Sequence, residues 1–110
     1  MPRLITTGCF TQDYVKGTLA APEDREPVIR SLVEAAGGTF ISLFFTTGAS
    51  DFLLITEGEG EDHIAGILVA AGAGMITGTC TVRAWTSTEF KGIAEKASSI
   101  SSAYRGPGQG

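Results

Sequence analysis

The chain holds a single histidine, His63, and only two cysteines, Cys9 and Cys80. So small a set does not assemble a recognisable zinc site, and the cysteines do not form a CxxC pair. Both sit in strand-like runs and read as small buried apolar residues of a reducing compartment. Basic residues are also scarce. Eight Lys and Arg stand against twelve Asp and Glu, leaving a net charge of −4. They are scattered along the chain, which argues against nucleic acid, whose binding rewards clustered Lys and Arg. Long apolar runs are missing too. The longest, Ile64 to Ile76, is interrupted by glycines and falls short of the ~20 residues of a membrane span. The start, MPRLITTG, lacks the charged and apolar regions of a secretory signal. The expectation is a cytoplasmic protein with neither nucleic acid nor membrane as partner. No cofactor is implied either. The glycines of AAGAGMITG do not form GxGxxG after a strand, and the acidic EGEGED segment (Glu57 to Asp62) lacks the spacing of an EF-hand loop.

What the chain does have is a pattern. At 110 residues and 43% hydrophobic it suits one domain with a modest core. RLITTGCF (3–10) reads as a strand, and 12–20 as a short helix capped by Thr11 or Asp13. Pro22 and Pro27 bracket the start of a second helix whose Val28, Ile29, Leu32, Val33 and Ala36 share a face. Gly37-Gly38 stops it. TFISLFFTTGASDFLLITEG (39–58) is a hairpin turning at Thr47-Gly48-Ala49-Ser50. Both faces of that hairpin are largely apolar, whereas a sheet wetted on one side alternates apolar with polar. A helix over about 62–73 follows, with Ile64, Ile67, Leu68 and Ala71 facing inward and Gly72-Ala73-Gly74 ending it. MITGTCTVRAW (75–85) is the last strand, with Ile76, Cys80, Val82 and Ala84 on one side. Thr77, Thr79, Thr81, Arg83 and Trp85 are expected on the other. Thr86 to Glu89 spells a capping box for a helix to about Ala97. The Ser/Gly-rich stretch 98–110 is expected to be a disordered tail. The order β-α-β-β-α-β predicts an α+β, ferredoxin-like domain over 1–97 with an antiparallel sheet. Too few helices remain to cover both sheet faces, so a second copy of the chain is the simplest cover.

The Gly-Gly stop, the hairpin segment GASDFLLI, the acidic loop before a small-residue helix and the ending VRAWTSTEF resemble the GYD-domain family over about residues 3–97. Gly48, Ala49 and Asp51 match its hairpin signature, but Ser50 stands where that family has Tyr. The resemblance implies a dimeric α/β barrel with sheets packed face to face, and no established reaction.

Candidate site residues come from the residues themselves. His63 at a helix start and Asp13 after the first strand are candidate acid/base groups, with helix-start exposure and helix capping as their structural readings. Arg83 offers a fork for carboxylate or phosphate beside Trp85, which stacks on planar groups. Thr79, Thr81 and the hairpin residue Phe44 complete the candidate ligand-binding set. An interface role accounts for Arg83 and Trp85 equally well. Asp51 reads as a turn-stabilising carboxylate, and Cys9 lacks an adjacent base. Two function classes follow. One is a small-molecule-binding barrel, including a cofactor-free isomerase, cyclase, lyase or oxygenase acting on a small organic, aromatic substrate. The other is a non-catalytic oligomeric sensor or assembly protein. Convergence of Arg83 with His63 or Asp13 on one cavity favours the first, and dispersal favours the second.

Overall fold

In the computed structural model, which describes residues 1–109, the chain alternates strands and helices. The order is β1 (Arg3–Phe10), α1 (Gln12–Ala20), α2 (Glu26–Ala35), β2 (Thr39–Phe45), β3 (Phe52–Glu57), α3 (Gly60–Gly72), β4 (Ile76–Ala84) and α4 (Ser87–Ile100). A 3-10 turn, Ser101–Ala103, closes the series. The four strands form one antiparallel sheet in the order β2-β3-β1-β4. This is the α+β, ferredoxin-like arrangement that the sequence predicts. Helical backbone continues three residues past the expected end at Ala97 and into the serine-rich stretch.

Local chemistry explains most boundaries. The Thr11 hydroxyl accepts from the Tyr14 N–H and so caps α1, leaving Asp13 without that role. Helices α2 and α3 stop in Schellman turns. After α2, Gly37 N–H bonds Glu34 O and Gly38 N–H bonds Val33 O; after α3, Gly74 and Met75 repeat the pattern on Ala71 and Ala70. Gly37 and Gly74 carry the positive φ (99° and 78°) that such a turn requires. The capping box at α4 is complete. Thr86 Oγ1 accepts from Glu89 N–H, and Glu89 Oε1 accepts from Thr86 N–H at 2.7 Å.

The sequence left open which face of β1 is buried. The structure answers with Leu4, Thr6 and Gly8, which face the helices together with Phe52, Leu54 and Thr56 of β3. Phe40, Phe52 and Leu54 form the centre of the core. Gly8 is fixed by contact, since a Cβ there would lie 2.7 Å from the Phe52 ring. Asp51 ties the hairpin to β1. Its carboxylate accepts from Phe10 N–H at 2.8 Å while its own N–H donates to Gly8 O at 2.8 Å. The bond to Phe10 serves a strand whose pairing with β4 shifts register between Thr7 and Cys9. Asp51→Ala is expected to cost about 1.5–3 kcal/mol, the worth of a hydrogen bond to a charged group, read as a lower midpoint in urea unfolding.

Four expectations about faces and burial are corrected. In β4 the register shift at Gly78, whose φ is +61°, puts Thr77 opposite Cys9 and Ile76 opposite Phe10. Ile76 therefore joins the helix side with Thr81, and Thr77 joins Cys80 and Val82. In α3 the inward residues are His63, Gly66, Ile67 and Ala70, not Ile64 and Leu68, which are exposed. Gly66 faces Ala36 of α2, where an added Cβ would lie 3.8 Å away, an ordinary contact. Val28 of α2 likewise lies outside. Cys80 is exposed and Cys9 half-buried, because both lie on the sheet face that no helix covers.

That uncovered face is apolar. Ile5, Leu53 and Ile55 occupy its centre, with Phe44 and Val82 flanking them. Among the described residues only Leu4, Phe40, Phe52 and Leu54 are buried hydrophobics, while Phe44 and Val82 remain 57% and 52% exposed.

Candidate functional site

A cavity of about 90 Å³ lies between the sheet and the helix pair α2 and α3. Its walls are apolar, with Ile29 and Val33 from α2, Ile67 from α3, and Leu54 and Phe52 from β3. An aromatic group closes one end. Phe10 stacks on Tyr14 with ring centres 4.1 Å apart, and Phe45 and Phe52 stand 5.7 and 6.1 Å from Phe10. The volume is below the roughly 150 Å³ that holds a benzene molecule. The enclosed part therefore takes a group of a few heavy atoms, and anything larger extends through the mouth.

One polar cluster opens onto this apolar space. His63 Nε2 lies 2.7 Å from Thr6 Oγ1 and 3.2 Å from Thr81 Oγ1, and the two hydroxyls are 2.9 Å apart. Thr6 is wholly buried, so its hydroxyl depends on these partners. With Nε2 as acceptor, Thr6 donates to the ring and Thr81 donates to Thr6; with Nε2 as donor the chain runs the other way. Either direction satisfies Thr6. Nδ1 has no hydrogen-bond partner among the described residues. Burial lowers the His63 pKa below its ordinary value, which favours the neutral ring. The result is a neutral imidazole anchored through Nε2. Carboxylates of Glu57, Glu59 and Asp62 line the same cavity, and no Lys or Arg does.

Of the residues singled out from the sequence, His63 and Thr81 are brought together. Asp13 lies elsewhere, in a second hollow with Tyr14, Glu23 and Arg25. Arg83 stacks on Trp85, its guanidinium carbon 4.9 Å from the ring centre. Both are exposed and neither lines the cavity. Thr79 is exposed beside the Gly78 irregularity. Phe44 lies on the opposite face of the sheet. Sequence reasoning missed Thr6 and Tyr14. The signal for Thr6 was present, since it is a polar residue flanked at two-residue spacing by Leu4 and Gly8. A polar group on a buried strand face requires a partner. Nothing in sequence order joined it to His63, 57 residues away. Among the described residues no group of three or more His, Cys, Asp or Glu could hold a metal ion, and no helix is long and apolar enough to cross a membrane.

No curated protein and no solved structure matches the chain. The family model of the GYD domain does, over residues 4–94, which takes in the four strands from Leu4 onward, the α2/α3 cavity and the His63–Thr6–Thr81 cluster. With that span covering most of the chain, the protein belongs to the GYD-domain family.

Proposed function

We propose that this protein is a cytoplasmic homo-oligomer of the dimeric α/β-barrel kind that binds a small organic molecule in the cavity between its sheet and α2/α3. The observation that carries the reading is the anchored, neutral His63 beside the apolar walls of the cavity. Apolar walls with a few convergent polar groups are the usual make-up of a small-molecule site. In the tautomer in which Nε2–H donates to Thr6, Nδ1 of the neutral ring is the acceptor that can take a proton from the ligand. That arrangement suits proton transfer of the kind a cofactor-free isomerase, cyclase or lyase performs. The carboxylates at the rim, unbalanced by any cation, disfavour an anionic ligand and favour a neutral one. This moves the ligand away from Arg83. The uncovered apolar sheet face supports pairing of two chains, because so much exposed apolar surface is unusual for a monomer.

The experiment is binding of phenol as a probe, its hydroxyl directed to His63 and its ring extending through the mouth, followed through amide resonances of Thr56, Gly66 and Ala70. Phenol is expected to shift these signals in the native protein, with weak affinity. Ala70→Phe, which fills the cavity from α3, is expected to abolish the shifts while leaving the fold intact. Shifts that survive in the filled variant, or none in the native protein, would overturn the reading.

A second reading has one observation in its favour. Asp13 and Arg83 lie apart from His63 and from each other's surroundings. Dispersal of this kind fits a non-catalytic oligomeric sensor or assembly protein, in which Arg83 and Trp85 serve contacts between subunits. Arg83→Ala separates the two. It leaves phenol binding unchanged in the first reading and weakens the oligomer in the second.

A further inference from the structure

Two polar side chains are buried among the described residues, Thr6 at 0% exposure and Thr56 at 2%. Both stand on the helix-covered face of the sheet. Thr6 pairs with Leu54 and Thr56 with Leu4, so the two are diagonal neighbours across β1 and β3. Such neighbours lie roughly 7–8 Å apart. The fold treats their hydroxyls differently. Thr6 Oγ1 has His63 Nε2 at 2.7 Å and Thr81 Oγ1 at 2.9 Å. Thr56 Oγ1 has no hydrogen-bond partner among the described residues. A buried donor without an acceptor is costly and therefore uncommon.

The Thr56 hydroxyl is not sealed in. Among the described residues the fully enclosed side-chain polar atom that lacks a partner is Nε of Arg25, not Oγ1 of Thr56. Thr56 lines the cavity between the sheet and α2/α3, so the open space that its oxygen meets is that cavity. Its cross-strand neighbours are Leu4 and Phe40, both buried and apolar, and neither side chain offers an acceptor. The proton of this hydroxyl is therefore available to an acceptor atom on a ligand. Glu57, Glu59 and Asp62 line the same cavity without a cation, which disfavours a carboxylate as that acceptor. A carbonyl oxygen is a neutral acceptor with no proton of its own, and it suits both the donor and the apolar walls.

We infer that Thr56 is the oxygen-binding residue of the cavity, its O–H donating to the carbonyl oxygen of a small neutral aldehyde or ketone. The inference rests on the small-molecule reading and deepens it by naming the ligand class and the residue that selects it. It also gives the cavity two polar groups with separate tasks. Thr6 holds His63, and Thr56 holds the ligand.

Acetone is the probe and xenon, which enters apolar cavities, is the control. Both are followed through the amide resonances of Gly66 and Ala70 in the native protein, Thr56→Val and Thr56→Ser. Thr56→Val keeps the shape and is expected to weaken acetone binding about fivefold, the worth of one hydrogen bond. Thr56→Ser retains the hydroxyl and should restore the affinity to within about twofold of native. Xenon should bind all three proteins alike. Equal acetone affinity in native and Thr56→Val, with xenon still bound, would overturn the role of Thr56 and leave the cavity reading standing. Absence of both xenon and phenol binding in the native protein would overturn the cavity reading, and this inference with it. Loss of xenon together with acetone in Thr56→Val would show that the substitution closes the cavity, and would overturn a ligand-binding role. Stability supplies an independent readout. Thr56→Val should not lower the urea midpoint of the ligand-free protein, in contrast to Thr6→Val, because it breaks no bond within the chain. A fall as large as that of Thr6→Val would reveal an internal partner and contradict the inference.

Discussion

Phe52→Ala is expected to destabilise the protein by about 3–5 kcal/mol, the cost of deleting a buried aromatic side chain. The site makes the upper part of that range the natural outcome. Phe52 is 6% exposed, packs directly on Gly8, and stands in the aromatic group that includes Phe10 and Tyr14. Few other side chains are as deeply placed, so little remains to collapse around the vacated volume. Thermal unfolding measured by circular dichroism should shift down by roughly 10 °C or more. A shift of only a degree or two would mean that Phe52 is not a principal core residue.

The second large effect concerns the buried hydroxyl of Thr6. Thr6→Val keeps the shape and removes the hydrogen bond, leaving His63 Nε2 with Thr81 alone at 3.2 Å. The expected cost is about 1–3 kcal/mol, since a partly buried polar atom loses its nearer partner. The same cluster makes stability depend on pH. Burial depresses the His63 pKa from its ordinary 6.5, so the unfolded chain takes up this proton more readily than the folded one. The contribution is full above the unfolded value and is lost progressively as pH falls from 6.5 toward the lower folded value. Urea midpoints measured from pH 8 downward should therefore decline through this window. His63→Gln, which keeps a hydrogen-bonding group but does not titrate, should flatten the decline above the carboxylate range. An unaltered slope in that variant would place the pH dependence elsewhere.

Local signals in this chain were legible in the sequence and relational ones were not. Gly37 and Gly74 announce the ends of α2 and α3 because a left-handed turn needs glycine, and Thr86 with Glu89 announces the start of α4 because the box is closed within four residues. The hairpin and the strand order follow from the same local patterns. The inward face of α3 was not legible. Ile64 and Leu68 look more apolar than Gly66 and Ala70, yet they are exposed while the smaller residues line the cavity. The face change in β4 depended on a register shift at Gly78 that alternation alone does not contain. For the site, His63 stood out as the lone histidine, but its partner Thr6 is hidden by sequence distance. Arg83 and Trp85 do stand together, and on an exposed surface rather than at the cavity.

Native mass spectrometry of the protein purified from its own cells, alongside the Ala70→Phe variant, shows directly whether the cavity holds a ligand in an oligomer. A homo-oligomer in which each chain carries a small uncharged organic molecule is the expected result, and the same oligomer without that mass when the cavity is filled. A monomer with no added mass, or an added mass that persists in Ala70→Phe, would contradict it.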